Sequence, residues 1–95
     1  MNETVIWEAI NSVADDYESI SAAQAERIRS ASTFGIAAQE LSLAFTAKHS
    51  PDDDFDPFTV MRKRIELAYI AATNVGFPDT AYHMAKKCLA IKENK

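Results

Sequence analysis

Ile6, Ile10, Val13, Tyr17 and Ile20 follow one another at steps of four, three, four and three. That rhythm puts all five on one narrow stripe of an α-helix and has no counterpart in the two-residue alternation of a strand. The rest of the chain agrees with it. Its 95 residues hold only two glycines and three prolines, too few for the turns that a many-stranded fold needs every 8–12 residues or so. The expected class is all-α: a compact single-domain bundle of about four helices spanning residues 1–95, ending in a tight helical hairpin. A chain of this length supports one core and no second.

The helices can be placed from their ends. Helix 1 is expected from about Glu3 to Ser19, with Glu8, Asp15, Asp16 and Glu18 off the apolar stripe and Trp7 at its margin. Ser21-Ala22-Ala23-Gln24 reads as a capping box, in which the serine hydroxyl takes an orphan amide and the glutamine reaches back. A second helix would then run to about Lys48 with Phe34, Ala38, Leu41 and Phe45 inward. Within it, Ser30-Ala31-Ser32-Thr33-Phe34-Gly35 is poor in helix formers. It predicts either a kink or short break, or a close helix approach over Ala31, Gly35 and Ala38. The run from His49 to Asp56 has no apolar period and is expected as an acidic loop.

Asp56-Pro57 starts a third helix, with the aspartate as N-cap and the proline in the first helical position. That helix is expected to reach Val75 and to lie in the middle of the bundle, because Val60, Leu67 and Ile70 fall off its main apolar face. Gly76 suits a left-handed residue after its last turn, Pro78 stops continuation, and Asp79 is expected to cap helix 4. Ala81, Met84, Ala85, Cys88 and Ile91 would then point inward.

Gly76, Ala81, Lys87, Cys88, Leu89 and Ile91 resemble the second half of a tetratricopeptide repeat. Ile65, Tyr69 and Ala72 depart from the tryptophan, glycine and tyrosine which that family favours in the first half. Ala72-Thr73-Asn74-Val75-Gly76-Phe77-Pro78-Asp79 with Tyr82 also resembles the helix-turn-helix of bacterial activators of the arabinose-regulator type, over about a dozen residues. The content common to both resemblances is a tight αα-hairpin.

Catalytic and metal-binding patterns are absent from the sequence. Cys88 lies five residues after His83, so on one helix their directions diverge by about 140°. One cysteine and two separated histidines fall short of a structural zinc set. Asp52, Asp54 and Asp56 imitate the start of a calcium loop, but Pro57 and Lys63 occupy the positions that need glycine and glutamate. No metal, cofactor or enzymatic activity is expected. The lone cysteine and the lack of a leader or membrane span point to a cytoplasmic protein.

Charge is unevenly distributed. Residues 1–56 carry eleven acids against three bases, a net −8, and residues 57–95 carry seven bases against three acids, a net +4. The asymmetry has two readings: an acidic half packed beside a basic one, or a surface that steers a partner. The second gives the expected function, a small inhibitor, immunity-type or adaptor protein that docks on a larger, nucleic-acid-processing protein. Its candidate contact residues are Trp7, Asp15, Asp16, Glu18, Asp52, Asp53 and Asp54. The alternative is a nucleic-acid-binding regulator using Arg62, Lys63, Lys86 and Lys87 of the hairpin. Self-association through Trp7 or through Ala31, Gly35 and Ala38 is a further expectation.

Overall fold

A computed structural model describes residues 3–47 and 56–93; the acidic stretch with Asp52, Asp53 and Asp54 lies outside them. Every regular element among the described residues is an α-helix. They are α1 (Glu3–Tyr17), α2 (Ala22–Arg29), α3 (Phe34–Thr46), α4 (Asp56–Thr73) and α5 (Pro78–Glu93). Five helices replace the expected four because the second one breaks. Thr33 accepts the amide of Ile36 on its Oγ1 at 3.1 Å and so caps a new helix, while Ser30 closes the preceding one. Hydroxyl side chains that compete with the helical backbone are here used to start it again.

The capping box is half realised. Ser21 Oγ accepts the Gln24 amide at 3.2 Å. The Gln24 side chain does not reach back; its Nε2 donates to the Glu40 carbonyl at 3.0 Å and to Glu40 Oε1 at 2.9 Å, tying α2 to α3. At the hairpin two expectations are corrected. Gly76 does not adopt a left-handed conformation. Asn74 does that work: its amide Nδ2 donates to the Ile70 carbonyl at 2.8 Å and its backbone N–H to the same oxygen at 3.0 Å. A Cβ at position 76 would meet nothing within 4 Å, so neither the backbone conformation nor a close approach requires glycine there. Asp79 is not the cap of α5 either, since Pro78 already opens that helix and the Phe77 carbonyl accepts from Ala81 at 3.0 Å. Asp79 instead puts its charge in the first turn, where the helix dipole favours an anion.

α4 packs against α1, α3 and α5, and α1 also packs against α2 and α5. α4 therefore lies between α3 and α5, while α1 with α2 covers one side of that layer. The smallest dimension of the molecule, 17 Å, is about two helices thick. In so thin a body the contacts between helices must be close. Eleven of the twenty buried apolar residues described are alanines, among them Ala37, Ala38 and Ala44 of α3 and Ala68, Ala71 and Ala72 of α4. The larger fully buried side chains are Ile6, Ile10, Val13, Tyr17, Ile28, Leu41 and Ile65, with Cys88 beside them. Four of these belong to the periodic stripe of α1.

Candidate functional site: two charged clusters and an apolar hollow

Three carboxylates converge on one guanidinium at the α1–α2 corner. Arg29 Nη1 donates to Asp15 Oδ1 at 3.0 Å, and its Nη2 donates to Glu18 Oε1 at 2.7 Å and to Glu26 Oε2 at 3.1 Å. Asp15 lies in the last turn of α1 and Glu18 is the first residue after that helix, while Glu8 lies two turns before Asp15 on the same exposed stripe. Helix geometry thus gathers the acids, and the turn at 18–21 swings α2 back so that Arg29 meets them. Three negative charges against one positive leave a net −2 on this corner. All three acids are more than half exposed, so the pairs add little to stability.

Ser30 Oγ donates to Glu26 Oε1 at 3.0 Å. That hydroxyl, then the hydrogen bond and charge of Arg29, hold the Glu26 carboxyl below its ordinary range. Its folded-state value is depressed, so its contribution to stability is present above the unfolded glutamate range and is lost as pH falls through the folded value. In a carbon-detected NMR titration Glu26 should have a midpoint below that of a glutamate in a denatured control. Arg29→Ala should raise it, and an unmoved midpoint in that variant would remove Arg29 from the cluster.

Asp16 departs from its neighbours. Its carboxylate takes a hydrogen bond from Arg64 Nη1 on α4 and lies 3.7 Å from Lys92 Nζ on α5. Arg64 is only 3% exposed. Its Nη2 donates to Ser12 Oγ at 2.7 Å, one turn before Asp16, and its Nε is buried with no partner. This cluster joins the acidic first half of the chain to the basic second half inside the fold. Asp16 is thereby withdrawn from the outward acidic face expected for it. Cys88 lies against the same cluster and donates its S–H to the Arg64 carbonyl at 3.5 Å. Burial pushes its thiol up, partly offset by the charge of Arg64, so no ready thiolate forms there.

The other singled-out residues scatter. Trp7 is half-buried at the margin of the core and stacks on Phe34, with ring centres 4.5 Å apart and planes 20° from parallel. Arg62 lies over the Phe45 ring, 5.0 Å from its centre, and donates to the Phe45 carbonyl at 3.4 Å. Lys63 donates to Glu66 Oε1 at 3.1 Å. Lys86 and Lys87 are exposed on α5, on the outer face that also carries Tyr82 and His83. The four basic candidates are therefore divided between two helices, and two of them already contact residues of this chain.

A hollow of about 330 Å³ opens between α3 and α4, lined by Ser42, Phe45, Glu66, Tyr69 and Ile70. His83 is not among its walls, so no acid–base pair forms with Glu66 there. Among the described residues no three histidine, cysteine, aspartate or glutamate side chains gather to hold a metal ion. No helix among them is long and apolar enough to cross a membrane.

Sequence reasoning missed Arg29 and Glu26 at the acidic corner, the Ser12–Asp16–Arg64 cluster and the hollow. The Glu26–Arg29 pair could have been read from its i, i+3 spacing. The contacts of Arg64, 48 and 52 residues away along the chain, left no local signal. No family model, curated protein or solved structure matches this chain. The functional reading accordingly rests on the geometry of its surfaces.

Proposed function

We propose that this chain is a non-enzymatic protein-interaction module, of the inhibitor, immunity or adaptor kind, that docks on a basic surface of a larger protein. The observation that carries the reading is the net −2 corner in which Asp15, Glu18 and Glu26 share Arg29. An exposed excess of carboxylates accelerates encounter with a basic partner and competes for sites that otherwise receive phosphate, which makes a nucleic-acid-processing protein the favoured class of target. The pre-existing Arg29 contacts hold the side chains in place, so less rotamer freedom remains to be lost on docking. Asp16 is not part of this face; Asp15 and Glu18 are, with Glu26 added.

The test is affinity capture from the native host by the wild-type chain and by the triple variant Asp15→Asn, Glu18→Gln, Glu26→Gln. The variant should keep the helical circular dichroism and lose a basic partner whose capture by the wild type falls with salt. Equal capture by both chains would refute the acidic corner as the docking face.

A second reading has one observation in its favour: Tyr82, His83, Lys86 and Lys87 share the exposed face of α5. An aromatic and basic stripe of this kind suits a nucleic-acid backbone. On that reading the wild type shifts a DNA or RNA probe at low salt and Lys86→Glu with Lys87→Glu abolishes the shift. No shift by the wild type ends it.

A further inference from the structure

A contact between two copies related by a two-fold axis brings each surface against itself, so it is opposed in proportion to the excess of one sign that the surface carries. The α1–α2 corner, at net −2, and the outer face of α5, with Lys86 and Lys87, both carry such an excess. The α3–α4 face is nearer to balance, with Arg62 and Lys63 standing against Glu66. Its hollow is walled by Phe45, Tyr69 and Ile70, and Tyr69 is 39% exposed on α4 while the core beneath is built largely of alanine. Bulky apolar side chains left outside a core of small ones gain most from a second layer.

The charges at its edge decide what that layer is. Lys63 and Glu66 stand three residues apart on α4 and pair at 3.1 Å, both substantially exposed. When two such helices meet antiparallel about an axis passing between these positions, each Lys63 faces the other copy's Glu66. An exposed pair of this type is worth little within one chain and can exchange partners at small cost. From this we infer that the outer face of α3 and α4 is a two-fold contact between copies of this chain, with Tyr69 and Ile70 closing over the hollow and Lys63 and Glu66 pairing reciprocally across it. The contact is independent of the acidic corner, which remains free in the dimer. It also differs from the self-association surfaces suggested by sequence, since Trp7 is stacked on Phe34 and Ala38 is buried.

Sedimentation equilibrium of the full chain, over concentrations reaching about 1 mM, should give a mass approaching twice the 10.5 kDa of one chain. Tyr69→Glu should weaken dimerisation at least about a hundredfold while retaining the helical spectrum. Lys63→Glu, at a position exposed enough to leave the fold intact, should weaken it about tenfold by setting like charges opposite each other. The exchange Lys63→Glu with Glu66→Lys should restore it, because the swapped pair is equally self-complementary. A wild-type chain monomeric throughout the series, a dimer indifferent to Tyr69→Glu, or an exchange variant no better than Lys63→Glu would each overturn the inference. Neutralising Asp15, Glu18 and Glu26 leaves the mass unchanged, so this result and the partner-capture result fail separately.

Discussion

Asp16→Ala should cost the fold about 3 kcal/mol, because it leaves the guanidinium of Arg64 in the interior without a counter-charge. Arg64 is 3% exposed and has two anchors, the Asp16 carboxylate and the Ser12 hydroxyl. Its Nε has none, so the cluster has no spare hydrogen bonds to absorb the loss. Lys92 does not compensate, since it is a second cation directed at the same carboxylate. The asymmetry of buried pairs makes a sharper expectation possible: Arg64→Met in the Asp16→Ala background should recover most of the lost stability, as an apolar chain of similar length removes the orphaned charge altogether. Urea denaturation followed by circular dichroism measures both. A loss under about 1 kcal/mol for Asp16→Ala, or no recovery in the double variant, would mean that solvent reaches Arg64 and that the cluster does not hold α1 to α4.

Leu41→Ala should be destabilising by about 3 kcal/mol for a different reason. The inward residues of α3 are Ala37, Ala38, Leu41 and Ala44, so Leu41 is the only large fully buried side chain that this helix gives to the core. Its truncation leaves a cavity between helices whose other contacts are already alanine and cannot collapse much further. α3 is otherwise fastened to α2 by the Gln24–Glu40 hydrogen bonds and to α4 by the Arg62–Phe45 contacts. Denaturant unfolding should therefore show the lower midpoint, and hydrogen exchange should show α3 amides losing protection ahead of those of α1. The outer-face change Leu43→Ala, at a residue 50% exposed, should cost much less. Equal losses at positions 41 and 43 would contradict the placement of α3.

These two expectations draw on opposite kinds of information. Leu41 was legible as a core residue from the steps of four, three and four that link Phe34, Ala38, Leu41 and Phe45, and so were Ile6, Ile10, Val13 and Tyr17 of α1. The break between α2 and α3 was legible as one of two options at 30–35, and the hairpin at 74–78 as a stop and a start. Which residue did the stopping was not. Gly76 was expected to end α4 by its conformational freedom, whereas the Asn74 amide ends it by a hydrogen bond, and either solution satisfies exposed carbonyls of a last helical turn. For the candidate sites the division is sharper. Asp15 and Asp16 are adjacent acids in sequence; one pairs with Arg29 at the surface and the other with Arg64 in the interior. The 100° between successive residues of a helix separates them, but which direction faces α4 depends on how the helices cross.

What the amino-acid sequence determined by itself was the α-helical class, the apolar stripe of α1, the inward residues of α5 and the approximate starts of α1, α2, α4 and α5. Each of these follows from periodicity or from a backbone preference acting over a few residues. The tertiary structure alone decided that one guanidinium gathers three carboxylates, that another is buried between α1 and α4, and that Phe45, Tyr69 and Ile70 share a hollow. Those arrangements join residues up to 52 positions apart, and a charge's environment is set by what the fold brings within a few ångströms of it.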